Sequence, residues 1–341
     1  MGAAMTGTRR ARSGWTWAPA WRAVWLLALA AGAASAQGGG SVAERSDAQW
    51  LQLMQNAARR LNYSGTVFHQ MGSDVRVSRL VHFFDGAVSH ARLQMLDGER
   101  REFIRRADEV QCLIPEARRV VVERRPLGSG FPALSAAAPE EILQQYRLHV
   151  GGVERVADIE CQVLRLQPKD ALRYGYRLWV DRASGLLLRA QMLDEREEVI
   201  EQLSFTEVRV GERFDPARLK PSWPTEGWSV ERVEAPPVDL VRLGWALVVP
   251  EGFRQLSAVK RRIARSAAGA AIHAVYSDGL ASFSVFIEPG RSATATGATP
   301  PRGATNGYIH RVGDALVTVV GEVPMATVRS VALSIEARAT R

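Results

Sequence analysis

The chain has 341 residues, 46% of them hydrophobic and 23% charged, which is long enough for two domains and too apolar for a disordered chain. Its net charge is +8, but four of the arginines (Arg9, Arg10, Arg12 and Arg22) stand among the first 36 residues, and without them the charge is +4. So mild a balance argues against nucleic-acid binding.

Residues 1–36 read as an export signal. The four arginines form a positive leader, residues 23–33 are apolar but too short to span a bilayer, and Ala34-Ser35-Ala36 supplies small residues at a cleavage point. Cleavage is expected after Ala36, which places the mature protein in a bacterial periplasm. Ser46 then starts an amphipathic helix whose Trp50, Leu53, Met54, Ala57, Ala58 and Leu61 share one face. From Thr66 to Arg125 the pattern is strand-like, broken by turn signals at Gly72-Ser73-Asp74, Asp85-Gly86, Asp97-Gly98 and Pro115-Glu116. Residues 126–139 read as a loop, Pro139-Glu140-Glu141 opens a short helix, and strands resume at Arg155.

The most informative stretch runs from Arg173 to Arg189. It predicts two strands joined by a turn at Asp181–Gly185, with Tyr174, Tyr176, Leu178 and Val180 on one face and Arg173, Arg177, Trp179 and Asp181 on the other. A face that apolar covers a core or an apolar ligand. Residues 46–214 are thus expected to form one domain, and the proline-rich residues 215–239 a linker. In a smaller domain, 240–341, strands are expected at Trp245–Val249, Ala271–Tyr276, Ala281–Ile287 and Ala315–Val320. Residues 291–304 read as a loop, and a closing helix begins at Pro324.

Little reaction chemistry is gathered. The six histidines include no short-spaced pair, and neither a nucleophile elbow nor a phosphate loop is present, so no metal, cofactor or enzymatic activity is expected. Ser257-Ala-Val-Lys260 matches a serine-lysine pattern too short to carry weight. Cys112 and Cys161 both sit in strand-like runs, and in an oxidising compartment an even count favours a cross-strand disulfide, with two buried thiols as the alternative.

Val81-His82 through Asp85-Gly86, Leu93 to Gly98, Arg101-Glu102 and Cys112-Leu-Ile-Pro115 resemble the N-terminal domain of the RseB/MucB family of periplasmic envelope-stress regulators. The Arg173–Arg189 hairpin fits the same family and, more loosely, the lipoprotein carriers of LolA type. Tyr276–Ala281, Ser284–Glu288, Gly303–Asn306 and Val317–Pro324 resemble the family's C-terminal domain. The resemblance implies an α+β protein, mainly antiparallel β: a half-open β-barrel enclosing helices, then a smaller α+β domain. It also implies binding of the periplasmic region of a single-span anti-sigma factor, shielding it from regulated proteolysis, with lipid or lipopolysaccharide as a sensed ligand. A periplasmic carrier of lipid or lipoprotein is the alternative, and a homo-oligomer stays open. Phe68, Phe83, Met95, Phe103, Tyr174, Tyr176 and Leu178 are the candidates for the apolar concavity, and Phe283, Val285, Phe286 and Tyr308 for the partner-binding surface. Core packing is the competing account of each.

Overall fold

The computed structural model describes residues 45–124, 137–262, 270–290 and 296–337; the expected export segment with its cleavage after Ala36, and parts of the two expected loops, lie outside the described residues. Helix α1 (Asp47–Arg60) starts where the sequence places a cap. The Ser46 hydroxyl accepts from the Gln49 amide and the Gln49 side chain accepts from the Ser46 amide, a reciprocal capping box.

Strands β1 (Tyr63–Met71), β2 (Asp74–Phe84), β3 (Ser89–Met95), β4 (Glu102–Arg106), β5 (Glu109–Ile114) and β6 (Arg119–Arg124) follow as an antiparallel meander. After helix α2 (Pro139–Gln145) a second meander comprises β7 (Tyr146–Val156), β8 (Ile159–Pro168), β9 (Gly175–Asp181), β10 (Leu187–Leu193) and β11 (Val199–Val210). Pairing of β11 with β1 fuses the two runs into one sheet. The predicted turn closes the β9–β10 hairpin: the Asp181 carboxylate accepts from the Ala183 amide at 3.0 Å, and Gly185 takes φ +78° beside the Leu53 side chain.

Helix α1 fills only part of the inner face of this sheet. Trp50, Leu51 and Met54 pack with Leu164, Leu166, Tyr176, Leu178 and Met192, while Ala57 meets Val67 and Phe205. Each fully buried leucine there contributes roughly 1.5–3 kcal/mol.

The expected linker is tied to the sheet. Leu219 packs on Val81 and Phe83, Trp223 and Trp228 cover Ile104, Leu113, Val120 and Val122, and β12 (Ser229–Arg232) runs parallel to β6. Glu102, fully buried, accepts from the Ser222 amide at 2.9 Å and pairs with Arg92. This strap covers the outer face of β2–β6. The twelve strands run β12-β6-β5-β4-β3-β2-β1-β11-β10-β9-β8-β7, and the two edges do not pair with each other, so the barrel is half open.

That order corrects the disulfide. Cys112 on β5 and Cys161 on β8 are free thiols, with seven strands between them in the sheet. Strand steps of roughly 4.8 Å carry them beyond the Cα separation of about 7 Å that such a bond tolerates.

The C-terminal part begins with β13 (Trp245–Ala246), β14 (Arg254–Arg261), β15 (Ala271–Ser277), β16 (Ser282–Glu288) and β17 (Gly297–Ala298). It continues through β18 (Asn306–Val312), β19 (Ala315–Gly321), α3 (Met325–Leu333) and β20 (Glu336–Ala337). Six strands form an antiparallel sheet in the order β14-β15-β16-β19-β18-β17, and β13 pairs with β20. Val328, Val331 and Ala332 of α3 pack on Phe283, Val285, Val317 and Val319, so one face of this sheet is the core. Ser257 and Lys260, the discarded serine-lysine pair, lie within strand β14.

His82 on β2 is 2% exposed, stacks on Tyr63 at 4.8 Å and donates from Nδ1 to the Leu61 carbonyl at 2.8 Å. Burial above all, helped by nearby Arg105, pushes its pKa down to about 4. An unfolded chain would take up this proton below about pH 6.5, so the contribution of His82 to stability falls as the pH drops from 6.5 toward 4, by at most ~1.4 kcal/mol per pH unit. In urea unfolding at pH 6.5 and 5, acidification should therefore be less favourable to the wild type than to His82→Phe, and the difference between the two is this histidine's share.

Candidate functional site

Two regions stand out, an uncovered stretch of sheet and the boundary between the two domains. The antiparallel register places Leu93 and Met95 of β3, Phe103 of β4, Cys112 of β5 and Val121 of β6 on the face that also carries Leu80 and His82. All five are half-buried, unlike the fully buried residues under α1. They form an apolar trough in the half-barrel. Arg105 sits on the same face, its buried Nε without a hydrogen-bond partner among the described residues. A trough of this kind suits an apolar chain, and the guanidinium favours a negative charge at one end.

The expected concavity residues divide. Met95 and Phe103 line the trough. Phe68 and Phe83 lie on the opposite face of the sheet, because they share the register row of Val77 and Val81 rather than that of Ser78 and Leu80. Phe83 is fully buried there under Leu219 and Phe214. Tyr176 and Leu178 are fully buried against α1 as core. Tyr174 is at the domain boundary, where its hydroxyl accepts from Asn306 Nδ2 at 2.9 Å. On the partner side, Phe283 and Val285 are core beneath α3 and Tyr308 packs against that core. Phe286 points to the other face, half-buried and stacked on His273 at 4.2 Å.

The boundary carries residues that sequence reasoning passed over. Arg173, in the β8–β9 connection, is 2% exposed; its Nη1 meets Asp278 Oδ2 at 2.6 Å and its Nη2 donates to the Glu251 carbonyl at 2.7 Å. The guanidinium also lies over the Phe253 ring, 4.9 Å from its centroid. Asp278 is 4% exposed and accepts from the Leu280 and Ala281 amides at 2.8 and 2.7 Å, so the β15–β16 turn is built around it. Gly279 stands in this turn at φ +105°, where a Cβ would lie 2.3 Å from that of Ala137. Leu280 joins the core beneath α1, and Thr327 Oγ1 donates to the Leu172 carbonyl at 2.9 Å. The tip of the second domain thus plugs the end of the first. In the sequence, Ser277-Asp278-Gly279 reads as a tight turn between two strands, within the Tyr276–Ala281 stretch that resembles the family's C-terminal domain, and nothing local announces its ion pair with Arg173.

Comparison with known proteins agrees with this two-part architecture. The model of the MucB/RseB N-terminal domain matches residues 46–223, and that of the MucB/RseB C-terminal domain matches residues 241–336. The chain belongs to the MucB/RseB family. The sigma factor AlgU regulatory protein MucB of Pseudomonas aeruginosa is 31% identical over 303 residues, 87% of this chain and 92% of that protein. The sigma-E factor regulatory protein RseB of Escherichia coli K12 is 26% identical over 294 residues, 84% of this chain and 89% of that protein. Among solved structures, the complex of Pseudomonas aeruginosa MucA and MucB matches with a TM-score of 0.68 at 28% identity, covering 86% of this chain and 99% of the matched chain. A crystal structure of MucB with MucA(peri) gives 0.67, covering 86% and 100%.

Removing one member of a buried ion pair leaves the other uncompensated, at about 3–5 kcal/mol. Asp278→Ala should therefore lose stability on that scale in urea unfolding, and the double change Arg173→Met with Asp278→Leu should recover much of it.

Proposed function

We propose that the mature protein is a periplasmic negative regulator that binds the periplasmic region of a single-span anti-sigma factor and shields it from regulated proteolysis. The observation that carries this reading is the end-to-end likeness, through both domains, to a MucB solved in complex with MucA(peri). Among the described residues no helix is long and apolar enough to cross a membrane. The half-buried outer face of the second sheet, centred on Phe286 and His273, is the surface proposed for the partner. The trough at Met95 and Phe103 is the surface proposed for a lipid or lipopolysaccharide acyl chain. A ligand that binds the free protein better than the complex would release the partner by linkage.

The carrier alternative accounts less well for the second domain. A carrier has no need of a domain pinned by an ion pair with both side chains fully buried.

Calorimetric titration of the mature protein with the periplasmic segment of its own organism's anti-sigma factor tests the reading. Saturable binding is expected, weakened at least tenfold by Phe286→Asp with folding retained. Phe103→Arg should leave partner affinity unchanged while abolishing any release of the partner by acyl-chain amphiphiles. Absence of binding by the wild type would remove the proposal.

A further inference from the structure

One end of the trough carries two buried polar atoms that have no hydrogen-bond partner among the described residues, His82 Nε2 and Arg105 Nε. Both side chains stand in one register row, which runs from Tyr63 of β1 through His82 of β2 and Ala91 of β3 to Arg105 of β4. The Leu61 carbonyl only accepts, so the ring hydrogen of His82 is on Nδ1, and burial keeps the imidazole neutral. Nε2 is therefore a bare acceptor on a side chain that is 2% exposed. Arg105 Nε is a donor in the same condition, although Nη2 of that residue donates to Ser89 Oγ at 3.4 Å. Two strand steps, roughly 10 Å, separate the Cα positions of His82 and Arg105, and the row fills that gap with the methyl group of Ala91 alone.

The next rows on this face are apolar. Leu80, Leu93, Phe103, Cys112 and Val121 make the first, and Ser78 with Met95 closes the second, where Ser78 Oγ donates to Met95 Sδ at 3.3 Å. Four residues of strand part the polar row from Met95, roughly 14 Å, the length of about ten extended carbons. The trough thus offers an unmatched acceptor and an unmatched donor side by side, then a apolar floor one medium chain long.

Resting on the reading of the trough as an acyl-chain surface, we propose that its polar row is a hydroxyl-specific subsite for a hydroxylated fatty-acyl chain. The chain's hydroxyl, close to its carboxyl end, donates to His82 Nε2, and the carboxyl oxygen accepts from Arg105 Nε. The hydrocarbon lies along Leu80, Leu93, Phe103 and Val121. A plain acyl chain satisfies Arg105 but has no hydrogen to give His82, so Nε2 would be sealed from water and left unmatched. A buried polar group discriminates in this way against an analogue that lacks the complementary hydrogen. Neither side chain needs to ionise or deprotonate for the selection to operate.

Displacement of a fluorescent fatty-acyl probe from the full mature protein at neutral pH tests the subsite, with 3-hydroxydecanoate, 3-methoxydecanoate and decanoate as competitors. The wild type should bind the hydroxy acid at least fivefold more tightly than decanoate. The methoxy acid keeps the oxygen without its hydrogen and should bind no better than decanoate, a comparison that needs no variant. His82→Phe should bring the hydroxy acid down to the level of decanoate, whereas Arg105→Met should weaken both and preserve the preference. Equal wild-type affinity for the hydroxy acid and decanoate, or a methoxy acid as tight as the hydroxy acid, would overturn the subsite while leaving the trough an acyl-chain surface. Failure of every chain to bind would remove the trough reading and the subsite with it.

Discussion

The Arg173–Asp278 contact carries more of this molecule than its size suggests. Taking two charges out of water is costly, and the cost is offset only where every remaining donor and acceptor is matched. Here Arg173 also reaches the Glu251 carbonyl and the Phe253 ring, and Asp278 gathers the amides of its own turn. The geometry of the turn follows, with Gly279 where only a residue without a Cβ fits and Leu280 delivered into the core under α1. The turn that enters the first domain is shaped by one carboxylate, and the Tyr174–Asn306, Leu172–Thr327 and Asp74–Arg302 contacts add to the seating around it.

This seating divides the half-barrel between structure and access. Helix α1 and the inserted turn fill the part built from β1 and β7–β11. The strap of residues 215–232 covers the back of β2–β6, leaving their inner face as the half-buried apolar surface. A sheet that buries one face under a helix and keeps another stretch available can be a stable scaffold and a binding surface together. A partner held by the second domain and an apolar ligand held by the first would be coupled through the boundary between them.

Much of this was legible in the sequence where local chemistry decides. The capped α1, the Asp181–Gly185 hairpin, the β15–β16 turn and the closing α3 all follow from periodicity and turn residues. What local chemistry does not encode was missed. Residues 215–239 look like a linker by their prolines, yet Leu219, Trp223 and Trp228 find apolar partners on strands far away in the chain. Strand β7 begins at Tyr146 rather than at Arg155, because Tyr146 and Leu148 are drawn into the core. Alternation alone could not tell Phe103, on the trough, from Phe83, on the opposite face, since only the register across β1–β4 separates them. The cysteines were equally ambiguous until the strand order placed them apart. Family resemblance, by contrast, reached the architecture directly, because it rests on the order of motifs along the whole chain.

If the buried turn welds the two domains, the mature protein should unfold as one cooperative body. Differential scanning calorimetry at neutral pH is the most direct measurement of that claim. A single transition with equal calorimetric and van't Hoff enthalpies is the predicted result. Two separate transitions in the wild type would contradict it, because the domains would then stand independently of the contact on which this account is built.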